Sequence, residues 1–253
     1  MGTNIDIIIL SYAKTEQLKQ MTQDGINSLF ASEDKGEIKF NVVVIESEKK
    51  LGNYQYPGTK TIYPDVSFGY NKYLNIGIRA TNSRYVCLSN NDLIYHPGWA
   101  TAMLKAFAEH PQLASANPYS ENFDYDERIK TGPDVAWRHK TMAMNGVLTG
   151  WCIFVKRDTL QKIGELDEQF TFWYADNDYD LTLRKHKLRH ALIKPSLVTH
   201  LFCQSHDLLD DRHEEMTSGQ RAVFEHKWAN RSVLKKSANL AKRVISIVFK
   251  TNG

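Results

Sequence analysis

The chain is short of cysteine. Its 253 residues include three, Cys87, Cys152 and Cys203, and none forms a CxxC pair, which argues against a cysteine zinc site. So sparse and odd a count fits a reducing compartment. Cys87 and Cys152 lie inside apolar runs, where thiols are commonly buried and inert. Long apolar runs are lacking too: none nears the roughly 20 residues that cross a bilayer. The polar start, Met1 to Asp6, has neither the charged nor the apolar region of a signal peptide. The expectation is a cytoplasmic protein, soluble or peripheral to a membrane. There is no internal repeat and no low-complexity segment. Charge of one sign is not in excess either: 32 Lys and Arg stand against 29 Asp and Glu, a net of +3, which by itself says little about partners. What the chain has is hydrophobic and aromatic side chains, 42% hydrophobic with 12 Tyr, 11 Phe and 5 Trp. That suffices to bury the core of one α/β domain, with or without an appendage.

The order of patterns predicts a parallel sheet. Ile5 to Leu10 and Phe40 to Ile45 are continuous β-branched runs without in/out alternation, as expected of strands covered on both faces. A helical pattern from Thr15 to about Phe30 joins them into a right-handed βαβ unit. A Gly/Pro/Tyr-rich loop (Leu51 to Pro64) and a helix from about Phe68 to Thr81 follow. Arg84 to Ser89 is a third strand, and Pro97-Gly98-Trp99 opens a helix that reaches about His110. Asn117 to Ala143 is polar and unpatterned and reads as a long loop. Gly150 to Val155 is a strand, Asp158 to Ile163 a short helix, and Leu192 to His200 a late strand bent or edged at Pro195. In such sheets ligands sit at the carboxyl ends of the strands. Ser11-Tyr12, Glu46 and Asn90-Asn91-Asp92 fall there.

Asp92 in that position can hold a hard divalent cation shared with a diphosphate, although Asn and Asp are also ordinary turn formers. Asp176-Asn177-Asp178-Tyr179-Asp180 precedes Leu181-Thr182-Leu183-Arg184. One Asp suffices to cap a helix, but three so close repel one another unless a cation or a proton transfer uses them. His200 ends a strand-like run and is either structural or a ligand, with His206 a nearby competitor. Trp151, Trp173 and Tyr174 flank these clusters and serve equally well as core or as faces for a sugar ring.

Together these pieces resemble family 2 glycosyltransferases, which have the GT-A fold. The resemblance rests on Phe68-Gly69-Tyr70-Asn71 with Asn75-Ile76-Gly77, on Tyr85 to Asp92, on Pro97-Gly98-Trp99, and on Gly150-Trp151 with Phe154 to Arg157. It continues through Ile163 to Glu168, Asn177-Asp178-Tyr179-Asp180-Leu181 with Arg184, His200, and Phe224 with Lys227-Trp228. It implies a Rossmann-like, mostly parallel sheet flanked by helices, with a C-terminal helical appendage. It also implies an inverting, metal-dependent transfer of a hexose or pentose from a nucleotide-diphosphate sugar to an acceptor hydroxyl. Ser11, Tyr12 and Glu46 would line the base and ribose pocket, with Asn71, Asn75, Asn90, Asn91 and Trp151 on the donor side. Asp92 and His200 would hold Mn²⁺ or Mg²⁺, and Asp178 would be the base, with Asp176 or Asp180 as substitutes. Trp173 and Tyr174 would border the acceptor, a glycan, a lipid-linked sugar or a nucleic acid. Asn90 and Asn177 stand where the family pattern has acidic residues, which keeps a catalytically idle nucleotide-binding module in view. A nucleotidyltransferase fits poorly, because Ser11-Tyr12-Ala13-Lys14 is not a Gly-rich phosphate loop.

The division expected is a catalytic domain over residues 1–206 and a helical extension over 207–253. From Ser232 to Phe249 an apolar face (Val233, Leu240, Ala241, Val244, Val248) opposes Lys235, Lys236, Lys242 and Arg243. Such a helix docks on the domain, lies on anionic lipid or meets DNA phosphates. With the Tyr-rich loop and Trp137-Arg138-His139-Lys140, the last case would suit transfer to hydroxymethylated bases of DNA.

Overall fold

The computed structural model describes residues 2–138, 146–202 and 218–229. Nine strands form the sheet. β1 (Thr3–Ser11), β2 (Ile38–Glu46), β3 (Lys60–Ile62) and β4 (Tyr85–Asn90) are mutually parallel, with β1 between β2 and β4. The sheet then changes direction: β8 (Cys152–Lys156) runs antiparallel to β4, and β6 (Leu113–Tyr119) antiparallel to β8. β9 (Arg189–His200) is parallel to β6 and is flanked by two short antiparallel partners, β5 (Leu93–Tyr95) and β7 (Val135–Trp137). The mostly parallel α/β sheet expected from the chain is therefore present, with antiparallel strands toward one edge.

The continuous apolar runs serve two cores. In β1, Ile5, Ile7 and Ile9 enter one buried cluster with Trp99, Met103 and Phe154, while Ile8 and Leu10 enter another with Leu74, Tyr179 and Leu183. Successive side chains of a strand point to opposite faces, so a strand covered on both sides needs no polar alternate. α1 (Glu16–Ala31) starts at Thr15, whose hydroxyl accepts the Leu18 amide, and α3 (Trp99–Glu109) lies on the same face of the sheet. α2 (Tyr70–Arg79), α5 (Arg157–Ile163) and α6 (Ala175–Lys185) cover the other face. Gly77 of α2 lies directly on Ile8, where a Cβ would collide.

Asn117 to Ala143 is not a plain loop. β6 runs to Tyr119, α4 (Glu127–Lys130) follows, and β7 pairs with β9. β6 escapes a hydropathy reading because Ser115 and Asn117 are fully buried within it. Ser115 is matched to His190 and Asn117 to the Thr149 and Cys152 carbonyls, so the polar groups are satisfied inside the sheet. Pro195 sits where the β6–β9 register slips, between the Pro118/Ile193 and Tyr119/Leu197 pairs. Cys87 and Cys152 are buried free thiols. No helix among the described residues is long and apolar enough to cross a membrane.

Beyond the boundary expected at residue 207, residues 218–229 are described. α7 (Ser218–Trp228) docks on the domain, with Trp228 only 3% exposed. The basic pattern over 232–249, His206 and Cys203 lie outside the described residues.

Toward the amino ends of the strands, Asp6 is fully buried. Its carboxylate accepts from Arg157 (2.7 Å), Asn41 (2.8 Å), and the Ser83 amide (2.6 Å) and hydroxyl (2.7 Å). It ties β1 to its neighbours and to the start of α5. Removing one partner of a buried pair leaves the other charge uncompensated. Asp6→Ala should therefore destabilise the fold by roughly 3–5 kcal/mol in urea unfolding.

Candidate active site

The parallel register sets the site. Ser11 pairs with Glu46 and Leu10 with Asn90, so the three polar strand ends expected from the chain meet at one edge. Glu46 is fully buried. One carboxylate oxygen accepts the amides of Ala13 and Glu48 (both 3.0 Å), and the other accepts the Tyr54 hydroxyl at 2.9 Å and Tyr56 at 3.4 Å. Glu46 thus shapes the pocket through two tyrosines from the Tyr-rich loop. Ser11 reaches Tyr56 and Thr22 from the same side, and Asn91 donates to Thr22 at 2.9 Å. Burial, the partner hydroxyl and Glu46 all hold the Tyr54 phenol above its ordinary range, so it stays a donor. Tyr12 and Asn90 remain partly exposed at this edge.

Asp92 and His200 come from strands distant in the chain. β5 follows Asp92 and pairs antiparallel with β9, placing Leu93 opposite His200, and the Leu201 amide donates to the Asp92 carbonyl (2.9 Å). His200 Nε2 stands 3.2 Å from Asp92 Oδ2. Trp151 stacks on the imidazole, with centroids 5.4 Å apart and planes at 17°. Trp151 in turn is anchored by the Asn90 amide, which donates to its carbonyl at 2.9 Å. Two donors each about 2.1 Å from one octahedral cation stand about 3 Å apart, so this pair fits a shared divalent ion. A carboxylate beside an imidazole suits Mn²⁺ better than a soft metal. His200 Nδ1 and Trp151 Nε1 are buried with no hydrogen-bond partner among the described residues, which marks a place built to receive a polar group. No third His, Cys, Asp or Glu joins the pair among the described residues. The remaining ligands would be diphosphate oxygens and water.

α6 sorts the acidic cluster. Ala175, Tyr179 and Leu183 are its buried stripe. At about 100° per residue, Asp176 and Asp178 leave the helix about 200° apart, on opposite flanks of that stripe. Asp176 lies against Gly150, where a Cβ would touch it at 3.4 Å. It accepts the Asn177 amide at 2.8 Å and is also hydrogen-bonded by the Gly150 backbone. Tyr70 donates to the Gly150 carbonyl (2.7 Å) and feels the carboxylates of both Asp176 and Asp92. Asp176 therefore shares the Trp151 edge with the Asp92–His200 pair. Burial raises its pKa against the amides that lower it.

Asp178, the base implied by the resemblance, is occupied elsewhere. Its Oδ1 takes the Trp228 indole N–H at 2.8 Å and the Lys227 ammonium at 2.7 Å. It borders a cavity of about 260 Å³ between α2, α6 and α7 that includes neither Asp92, His200 nor Trp151. Asp180 is held between Arg138 (2.6 Å) and Arg184 (2.8 Å).

Asn71 and Asn75 do not turn to a donor. They bind the Asp167 and Leu166 carbonyls at 2.9 Å, and Asn75 also accepts the Leu166 amide, so both fasten α2 to the turn before α6. Arg138 is consumed by Asp180 and the Leu188 carbonyl, and Arg189 covers Trp137 at 3.8 Å. His139 and Lys140 lie outside the described residues. Trp173 is 46% exposed, and Tyr174 packs on Phe224 with ring centroids 5.3 Å apart. Tyr54, Tyr56 and Tyr70 also lie at this edge; the sequence reading gave none of them a role, although Tyr54 and Tyr56 fall in its Tyr-rich loop and Tyr70 in the Phe68-Gly69-Tyr70-Asn71 motif.

The fold is shared with other solved proteins. PcManGT, a mannosyltransferase from Pyrobaculum calidifontis solved with GDP-Man and Mn²⁺, superposes with a TM-score of 0.62 at 12% identity, covering 98% of this chain and 76% of that one. S. aureus TarS 1-349 gives a TM-score of 0.57 at 13% identity over 78% of this chain, which spans 59% of that structure. GalNAc-T7, solved with UDP, GalNAc and Mn²⁺, gives 0.57 at 11% identity, covering 78% of this chain and 44% of that one. At such identities the likeness is one of fold, the GT-A fold. No curated protein matches the chain in sequence. The family model for glycosyl transferase family 2 matches residues 7–164, well over half of the chain, and the chain belongs to that family.

Proposed function

We propose that the protein is an inverting, metal-dependent glycosyltransferase that moves a sugar from a nucleotide-diphosphate donor to an acceptor hydroxyl, in the synthesis of a surface glycan. One observation carries it: Asp92 and His200, 108 positions apart in the numbering, stand 3.2 Å from each other at an edge that also holds Asp176. The solved relatives with GDP-Man or UDP and Mn²⁺ support the same donor class.

The nucleotide would enter beside Ser11, Tyr12 and the tyrosines held by Glu46. Asp92 and His200 would hold Mn²⁺ or Mg²⁺, which offsets the negative charge of the leaving diphosphate. Asp176 is the base. Its carboxylate takes the acceptor hydroxyl proton while the hydroxyl oxygen bonds to the anomeric carbon. The bond from that carbon to the diphosphate oxygen breaks, and its electron pair leaves with the phosphate. A single displacement inverts the anomeric carbon. A hydroxyl is a poor nucleophile near neutral pH, and a carboxylate with a raised pKa is better matched to its proton than an ordinary one. Asn177 does not weaken this reading, because Asp176 supplies the carboxylate. Trp173, exposed next to Tyr174 and α6, would border the acceptor.

A thermal-shift panel of UDP, GDP, dTDP and CMP with and without Mn²⁺ tests the donor half of this reading; stabilisation by none of them would sink it. Asp92→Asn should abolish the Mn²⁺-dependent part of the shift without lowering the melting temperature of the free protein. Asp176→Asn should lower turnover on the order of a thousandfold and leave nucleotide binding within twofold. The sign of its stability effect follows from the raised pKa. The folded state favours the protonated carboxyl, so stability is lost as pH climbs through the folded value. The Asn variant should thus melt no lower than wild type at neutral pH. For wild type, turnover should fall on the acid side with a midpoint above that of an ordinary aspartate, and a flat profile across that region would remove Asp176 as the base.

A further inference from the structure

The contacts of α7 converge on the segment that presents Asp176. Gln220 Oε1 accepts the Thr171 amide at 2.8 Å. Phe224 meets Phe170 and Tyr174, with ring centroids 6.4 and 5.3 Å apart. Lys227 bridges Asp167 and Asp178, each at 2.7 Å, and Trp228 donates its indole N–H to Asp178 at 2.8 Å. The turn into α6 is also strained. Tyr174, its N-cap, has φ 64°, a left-handed conformation that costs a residue with a side chain about 1 kcal/mol or more. No side chain caps the helix there. Such strain persists only where neighbours over-determine it, and Phe224 and Asp178 are those neighbours: the Asp178 amide donates to the Tyr174 carbonyl at 2.9 Å.

We infer that Lys227 and Trp228 are positioning residues for catalysis: by clamping Asp178 on one flank of α6 they fix where the helix presents Asp176 on the other. This rests on Asp176 being the base. Asp178 then serves as a structural partner, and α7 belongs to the catalytic unit. Misplacing a reacting group by about 1 Å can cost on the order of a hundredfold in rate. Loss of one clamp bond, with the ring still buried, should cost less.

The test uses the full chain and Trp228→Phe, which keeps the buried ring and removes the N–H. Nucleoside diphosphate release from UDP-glucose and GDP-mannose with Mn²⁺ gives kcat and KM. Calorimetry with UDP and GDP plus Mn²⁺ gives affinity, and hydrogen exchange reads the amides of residues 178–182. Trp228→Phe should lower kcat about tenfold, leave nucleotide affinity within twofold, and speed exchange in α6. Asp178→Asn, whose amide oxygen can still accept from Trp228 but has lost its charge toward Lys227, should show the same pattern more weakly. Wild-type kcat with unchanged exchange would overturn the inference, and so would a fall in nucleotide affinity matching the fall in kcat. If wild type releases nucleotide from neither donor, unchanged exchange in α6 alone overturns it. The underlying reading fails separately, by Asp176→Asn keeping full turnover.

Discussion

The antiparallel pairing of β5 with β9 is the constraint on which the site depends. Each is a weak element on its own: β5 is three residues long, and β9 carries a proline and a register slip. Together they bring Asp92 to His200, and the imidazole is then fixed between that carboxylate and the Trp151 ring. A slip of one residue in this pairing would turn His200 to the other face of the sheet. The buried neighbours Leu93 and Val198, both packed in the main core, oppose such a slip. The hydrophobic core thereby sets the distance between two polar side chains.

A second division of labour falls on the acidic cluster. Three carboxylates within five residues would repel if all faced one way. The helix turns Asp178 away from the other two, and each meets a different partner: backbone amides for Asp176, a lysine and an indole for Asp178, two arginines for Asp180. Asp178 remains raised by burial even with its ammonium partner, while Asp167, on the same lysine, is lowered: the hydrogen bonds from Lys227 and the Gln169 amide outweigh its own burial. The more buried carboxylate gives up more hydration for the same cation.

Much of the fold was legible in the residues. The β-branched runs of β1 and β2, the helical pattern after Thr15, and Pro97-Gly98-Trp99 each name a local structure that physics enforces with little help from the rest of the chain. β6 was not legible, because Ser115 and Asn117 look like loop residues until His190 and the Thr149 carbonyl are placed beside them. The convergence of Ser11, Glu46 and Asn90 could be read from strand ends alone. The role of Asp176 could not be read from motif spacing. Its choice over Asp178 turns on which flank of the Ala175, Tyr179, Leu183 stripe faces the crevice. The stripe is visible in the sequence, but the flank is fixed by Gly150 and by α7, both remote. Asn71 and Asn75 misled for a similar reason, since an asparagine that fastens a turn and one that binds a ligand look alike.

The two ends of the sheet use buried charge in opposite ways. At the amino ends, Asp6 has a guanidinium, an amide, a hydroxyl and a carboxamide around it. A carboxylate so surrounded is held rigid, and it can do no chemistry because every lone pair is engaged. At the carboxyl ends, Asp176 has amides enough to hold it in place but no cation beside it among the described residues, and burial raises its pKa. A carboxylate left short of stabilisation will take a proton, which is what a base must do. The same shortage works against folding, so a site of this kind needs a stable scaffold elsewhere. The fully satisfied network at Asp6 and the clamp on Asp178 are where this chain supplies it.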